Sequence, residues 1–109
     1  MKRTEFDQIV DWTQPNSRVL DLCSGDGTLL SRLIKERQAT GYGLEIDPVQ
    51  IQRCIESRIN VIEQDLNEGL ARFSDQSFDL VIMTQTLQAM QRPDQTMQEM
   101  LRIGKHCIV

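Results

Sequence analysis

Nowhere in the chain do about 18 apolar residues run together, the length a membrane-spanning helix requires. The opening residues, MKRTEFDQIV, are basic but are followed by neither an apolar core nor a small-residue cleavage site, so export is not expected either. There is no excess of positive charge. Twelve Lys and Arg stand against sixteen Asp and Glu, a formal net charge of -4, which leaves no electrostatic footprint for nucleic acid or an anionic membrane. Cysteine is sparse. Cys23, Cys54 and Cys107 are widely spaced, form no CxxC pair and have one histidine, His106, beside them, so neither a disulfide framework nor a zinc set can be assembled. They read as reduced thiols of a cytoplasmic protein. Internal repeats, low-complexity tracts and linkers are also missing, and 109 residues make a single domain that buries roughly two-thirds of the surface its unfolded form exposes.

What the chain does have is concentrated in residues 18–30, RVLDLCSGDGTLL. An apolar strand carrying Asp21 runs into a small-residue turn built on Gly25 and Gly27, and the turn opens an amphipathic helix. Where a strand passes to a helix through glycines, the backbone can approach a ligand closely and the first helical amides point at it. A nucleotide-like cofactor would sit here.

The remaining pattern alternates strands with helices. A leading helix is expected over residues 5–12, with Phe6, Ile9 and Val10 at helical spacing, before Pro15 breaks it. After the strand at 18–22, a helix over 28–37 carries the stripe Leu29, Leu30, Leu33 and Ile34. Gly41 and Gly43 punctuate the return to a strand at 42–46. Asp47-Pro48 is a helix-start signal, a capping side chain followed by proline, and Ile51, Cys54 and Ile55 form the stripe of that helix. A third strand is expected at 60–63, a loop with one helical turn near Leu70, and a buried strand at 78–83 near the middle of the sheet. Residues 86–90 read as a short helix. Asp94 reads as the cap of a last helix bearing Met97, Met100, Leu101 and Ile103, Gly104 as its end with His106 as a C-terminal cation, and 107–109 as the start of a fifth strand. The methionines read as packing surface. The fold expected is α/β: a doubly wound, mainly parallel, Rossmann-like sheet.

Sheets of this class bind ligands outside the carboxyl ends of their strands, at the point where strand order reverses. The residues there are Asp21 and the turn Cys23, Ser24, Gly25, Gly27; Glu45, Ile46 and Asp47; Asp65 and Leu66; and Thr84 and Gln85. Glu45 lies twenty residues beyond Gly25, the separation at which an acid meets the hydroxyls of a ribose. Asp47 is read as a helix cap and Glu45 as a ligand-binding group. A dinucleotide fingerprint would place a third glycine at position 30, where Leu30 stands, and the acidic turn with Asp21 and Asp26 would repel a pyrophosphate. An NAD-linked oxidoreductase is therefore the weakest alternative. A cofactor with a cationic amino end and no phosphate fits better.

The order Asp-x-small-x-Gly-x-Gly resembles motif I of the class I S-adenosylmethionine-dependent methyltransferases. The resemblance implies that Asp21, Cys23, Ser24, Gly25 and Gly27 form the cofactor turn, that Glu45 binds the ribose, that Ile46 packs on adenine, that Asp65 and the Leu66 amide read the adenine edge, and that Thr84 borders the site. More narrowly, LDLCSGDGTLL, GYGLEID, NVIEQDLNEGL, SFDLVIMTQTLQAM and the ending MLRIGKHCIV are similar to the MetW family of methionine biosynthesis, with the QTLQ stretch the most specific part. The cofactor implied is S-adenosyl-L-methionine or S-adenosyl-L-homocysteine. Two departures stand out. Cys23 replaces the usual first glycine, at a cost on the order of 1 to 2 kcal/mol if a positive φ is required. The family's full fold has seven strands, so this chain reads as truncated after the fifth, leaving a strand edge expected to pair with another chain or to self-associate.

A methyl transfer needs an aligned acceptor and sometimes a general base, yet the end of the fourth strand offers only Thr84, Gln85 and Thr86. No catalytic residue is assigned. Resemblance to MetW implies a partner, a homoserine O-acyltransferase of the MetX type, whose acylation reaction this protein would support. The alternative is an active small-molecule methyltransferase with an unidentified acceptor.

Overall fold

The structure is a computed structural model and describes residues 4–84 and 90–109. The short helix expected at 86–90, with Gln85, Thr86 and the QTLQ stretch, falls largely or wholly outside them. In the described residues the order is α1 (Glu5–Trp12), β1 (Arg18–Leu22), α2 (Thr28–Arg37), β2 (Thr40–Glu45), α3 (Pro48–Glu56), β3 (Val61–Glu63), a 3-10 turn (Leu66–Glu68), β4 (Phe78–Met83), α4 (Pro93–Ile103) and β5 (Gly104–Ile108).

The strands form one parallel sheet in the order β3-β2-β1-β4-β5. Strand order reverses between β1 and β4. Alternation along these two strands separates the core into two layers, as the two-residue side-chain period of a strand requires. Val19, Leu80 and Ile82 pack with Ile9, Val10, Leu29, Leu30, Leu33 and Cys54 from α1, α2 and α3. Leu20, Leu22, Val81 and Met83 pack on the other face with Leu66, Leu70, Met100 and Ile103.

Helix starts follow local chemistry. Thr4 and Asp7 close a capping box on α1, Asp47 accepts from the Val49 N–H at 3.0 Å with Pro48 in the first helical turn, and Asp26 accepts from the Thr28 N–H at 3.0 Å. Arg102 ties the loop before β4 to α4, donating to the Phe73 and Leu70 carbonyls and to Asp75 and Glu99.

Several sequence expectations are corrected. β2 begins at Thr40, two residues earlier than expected, so Gly41 lies inside it with Gly43; a Cβ on Gly41 would meet the Val19 backbone and one on Gly43 the Ser24 side chain. Asp94 does not cap α4. Arg92 occupies that position without a side-chain bond, and Pro93 begins the helix. The one-turn helix falls at 66–68 instead of near Leu70, started by Asp65, whose carboxylate accepts from the Asn67 N–H at 2.9 Å. Ile55 is exposed, so Cys54 carries the buried stripe of α3. β5 begins at Gly104, three residues earlier than expected, since a residue without Cβ can lie against Val81 while pairing with Phe78. His106 is therefore a mid-strand residue opposite Leu80 and not a helix-terminal cation.

Candidate functional site

The carboxyl ends of β1, β2 and β3 and the first residue after β4 carry the expected residues that are described; Gln85 lies outside the described residues. Cys23 leaves β1 with φ 57°, Gly25 follows at 59° and Gly27 at 86°, so the turn passes three times through left-handed backbone. For Cys23 this is the positive φ that a glycine would adopt without cost, and about 1 to 2 kcal/mol of strain is held there. At Gly25 a side chain would stand in open space, with no heavy atom within 4 Å.

The turn is held from outside by groups that sequence reading did not single out. The Ser24 N–H donates to the Leu44 carbonyl at 2.9 Å, and a Cβ on Gly43 would lie 2.4 Å from Ser24 Oγ. Cys54 Sγ donates to the Gly25 carbonyl at 3.2 Å from beneath. Gly41, with φ 131°, leaves a space in which a Cβ would fall 1.8 Å from the Val19 carbonyl oxygen. A glycine within a strand is itself a sign of close backbone approach, and this was the available clue to the Gly41 and Gly43 contacts.

Glu45 ends β2 and reaches back to the turn. Its Oε1 accepts from the Gly25 N–H at 2.7 Å, and its Oε2 accepts from the Ile46 and Asp47 N–H groups at 3.0 and 3.1 Å. The carboxylate thus joins two strand ends twenty residues apart. Ile46, 54% exposed, offers an apolar face beside it. Asp65 follows the end of β3 and starts the 3-10 turn, in which the Leu66 side chain is buried in the core. Thr84, partly buried, follows Met83 of β4.

Asp21 is the unusual member. Only 2% exposed on the central strand, it has an Oδ1 without a hydrogen-bond partner. Burial, and then the negative charge of Glu45, push its carboxyl up to about 7. Cys23 is pushed up to about 11 by burial and by Glu45, Asp21 and Asp65, so this thiol is protonated at neutral pH and is poorly suited to nucleophilic or redox work. The site is a cluster of carboxylates around a glycine turn, and among the described residues no basic group acts on Asp21 or Cys23. Among the described residues no three His, Cys, Asp or Glu side chains are grouped to hold a metal.

A surface recess of about 200 Å³ opens between the 3-10 turn at Leu66–Glu68 and the start of α4. One of about 570 Å³ opens at the amino end of the sheet between Trp12, Asp79, Lys105 and His106. Another, between α2 and α3, touches only the outer side of Asp26, Gly27 and Thr28. At the strand-end site Glu45 contacts the Gly25 amide, while the space beside Gly25 is open.

Comparison with known proteins agrees with this fold. The family described as "Methionine biosynthesis protein MetW" matches residues 3–109. A "Bifunctional methionine biosynthesis protein MetXA/MetW" from Rhodopirellula baltica is 34% identical over 111 residues, which cover 94% of this chain and 18% of that protein, so the chain spans about a fifth of its relative's length. The crystal structure of the cyclase SpnF superposes with a TM-score of 0.78 at 24% identity over 92% of this chain and 40% of the other. A SAM-dependent methyltransferase from Archaeoglobus fulgidus superposes with a TM-score of 0.58 at 29% identity over 69% of this chain and 33% of that one. A cyclase among these relatives shows that the fold hosts more than one chemistry, so fold alone does not assign a reaction.

Proposed function

This chain belongs to the MetW family of methionine biosynthesis proteins, and we propose that it binds S-adenosyl-L-methionine or S-adenosyl-L-homocysteine at the β1–α2 turn and supports homoserine O-acylation with a MetX-type acyltransferase.

One observation carries the ligand reading. The acid at the end of β2 already touches the glycine turn after β1, beside a buried carboxyl whose Oδ1 is unpartnered. Four features suit an adenosyl amino acid: a carboxylate for ribose hydroxyls at Glu45, an exposed apolar face for adenine at Ile46, open space beside Gly25, and net negative charge for a cationic end. A hydrogen bond from a hydroxyl to a shielded carboxylate contributes roughly 1.5 to 3 kcal/mol, so the ribose contact alone could account for ten-fold or more in affinity. To accept the ribose, Glu45 exchanges its bond from the Gly25 N–H for bonds from the hydroxyls. Asp65 and the Leu66 amide complete the adenine edge, and Asp21, Cys23, Ser24, Gly27 and Thr84 line the remainder.

S-adenosyl-L-methionine, when bound, supplies a sulfonium-activated methyl group. On this chain's side, the residues that follow β4 in sequence are Thr84, Gln85 and Thr86, none of them a strong base, which favours holding the ligand over activating an acceptor there. This favours the supporting role over a small-molecule methyltransferase with its own acceptor, which is the second reading. The fused name of the Rhodopirellula relative supports a MetX-type partner.

Calorimetric titration tests the ligand. Binding of S-adenosyl-L-methionine and S-adenosyl-L-homocysteine is expected, with loss in Gly25→Val and Glu45→Ala; saturable NAD binding in their place would overturn the assignment. Co-purification with the acyltransferase and an assay of homoserine acylation test the partner, and no effect on either would remove it.

A further inference from the structure

Gly25 is held at both of its peptide groups. Its N–H donates to Glu45 Oε1 at 2.7 Å from the end of β2, and its carbonyl accepts from Cys54 Sγ at 3.2 Å from α3. Within the turn, the Gly27 N–H donates to the Ser24 carbonyl at 3.2 Å, a bond that closes over Gly25 without using its N–H or carbonyl. The ties on Gly25 therefore come from outside the turn. The same sulfur stands 4.0 Å from Ser24 Oγ and would lie 3.2 Å from a Cβ on Gly27, so one fully buried side chain underlies the turn from Ser24 to Gly27. Burial raises the Cys54 thiol above its ordinary value, which keeps the proton on sulfur through the neutral range and makes it a standing donor. Glu45 and Cys54 also belong to one continuous unit, since β2 ends at Glu45, Asp47 caps α3, and Cys54 follows roughly two helical turns on.

Resting on the ligand reading above, we propose that Cys54 is a positioning residue of the ligand site, whose thiol holds the Gly25 carbonyl in place when Glu45 turns from the Gly25 N–H to the ligand's ribose. In the free chain Gly25 has both ties. With ligand bound, Glu45 serves the hydroxyls, and the sulfur is what still fastens Gly25 to the unit of β2 and α3. A contact that matters more in the bound state than in the free one shows in affinity more than in stability. Cys54 acts through the turn and touches no ligand atom. Its donor, rather than its bulk, is what the turn uses, because the hydrogen bond fixes the orientation of the peptide between Gly25 and Asp26 and packing alone does not.

The experiment is calorimetric titration of the full chain with S-adenosyl-L-homocysteine, beside urea denaturation, for wild type and variants. Cys54→Ala removes the donor, and Cys54→Val removes it while filling the space; each is expected to weaken binding about fivefold, the scale of one weak donor. Cys54→Ser restores a donor and is expected to bind within about twofold of wild type. Ile9→Val, which loosens the same core layer from α1, is expected to lower the urea midpoint and leave affinity unchanged. Unchanged affinity in Cys54→Ala, or a loss of the same size in Ile9→Val, would overturn the positioning role and leave the ligand reading standing. So would a folded Cys54→Ser that binds as poorly as Cys54→Ala. Wild-type affinity in Cys54→Val would assign the effect to volume and overturn the role of the donor without reference to Cys54→Ser. Failure of wild type to bind any adenosyl ligand would overturn both readings.

Discussion

Two aspartates on adjacent strands, Asp79 near the start of β4 and Asp21 near the end of β1, sit at opposite ends of one sheet and are treated in opposite ways. Asp79 accepts from the Arg18 N–H at 2.8 Å and pairs with Lys105 at 3.3 Å, and these contacts hold its carboxyl below the usual range. Among the described residues Asp21 has neither a bond to Oδ1 nor a cation, and it is raised. At the amino end the charge is satisfied within the chain and serves the fold. At the carboxyl end it is left unsatisfied, a cost to folding that is understandable if a ligand completes the site.

The two glycines of β2 give the largest way to break this contrast. Gly41→Ala is expected to abolish folding, a loss of about 4 kcal/mol or more, because its Cβ would fall on the Val19 carbonyl. Gly43→Ala, toward the other end of the same strand, meets the Ser24 side chain and is expected to cost about 2 kcal/mol and to weaken ligand binding more than tenfold. The pair Gly43→Ala with Ser24→Gly should recover part of both losses, since the collision is with a side chain. Urea denaturation measures the first quantity and calorimetry the second; a fully folded Gly41→Ala would contradict the packing described for β1 and β2.

The aspartates themselves give the next test, through pH. Asp21 has a raised folded-state value, so the folded chain binds the extra proton and its stability falls as pH rises from about 4 to about 7. Asp21→Asn is expected to remove that decline and to be the more stable form, relative to wild type, at pH 8. Asp79 has the opposite sign. Its contribution is present above the ordinary carboxylate range and is lost as pH falls, so Asp79→Ala is expected to cost about 1 kcal/mol at pH 7 and progressively less in acid. Thermal unfolding of both variants from pH 3 to 8 checks the crossing of the two trends; parallel profiles would refute it.

The smallest effect belongs to the turn itself. Cys23→Gly relieves left-handed strain at φ 57° but adds freedom to the unfolded chain, and a net gain of about 0.5 kcal/mol is expected. Ligand affinity should be unchanged or slightly improved. A loss of 1 kcal/mol or more in equilibrium unfolding would mean that the thiol packs better than its backbone suggests.

Much of this was legible beforehand. The bounds of α1, α2 and β4, the start of α3 at Asp47-Pro48 and the residues at the strand ends all follow from spacing, proline and short polar side chains, which act within a few residues. β5 was misplaced because the chemistry that starts it, a glycine lying against Val81, comes from a strand more than twenty residues away. His106 was misassigned with it. The link between Glu45 and Gly25 was legible as a separation in sequence, but not as a hydrogen bond from a backbone amide.

The amino-acid sequence by itself determined the alternation of strands and helices, the glycine turn and which acids stand at strand ends, because periodicity and backbone propensity are local. Only the tertiary structure decided that Gly41 and Gly43 are held by contact, that Cys54 supports the turn, and that Asp21 is buried beside Glu45 with no cation among the described residues. Those depend on β1 lying between β2 and β4, where packing removes water and leaves a carboxyl with no partner.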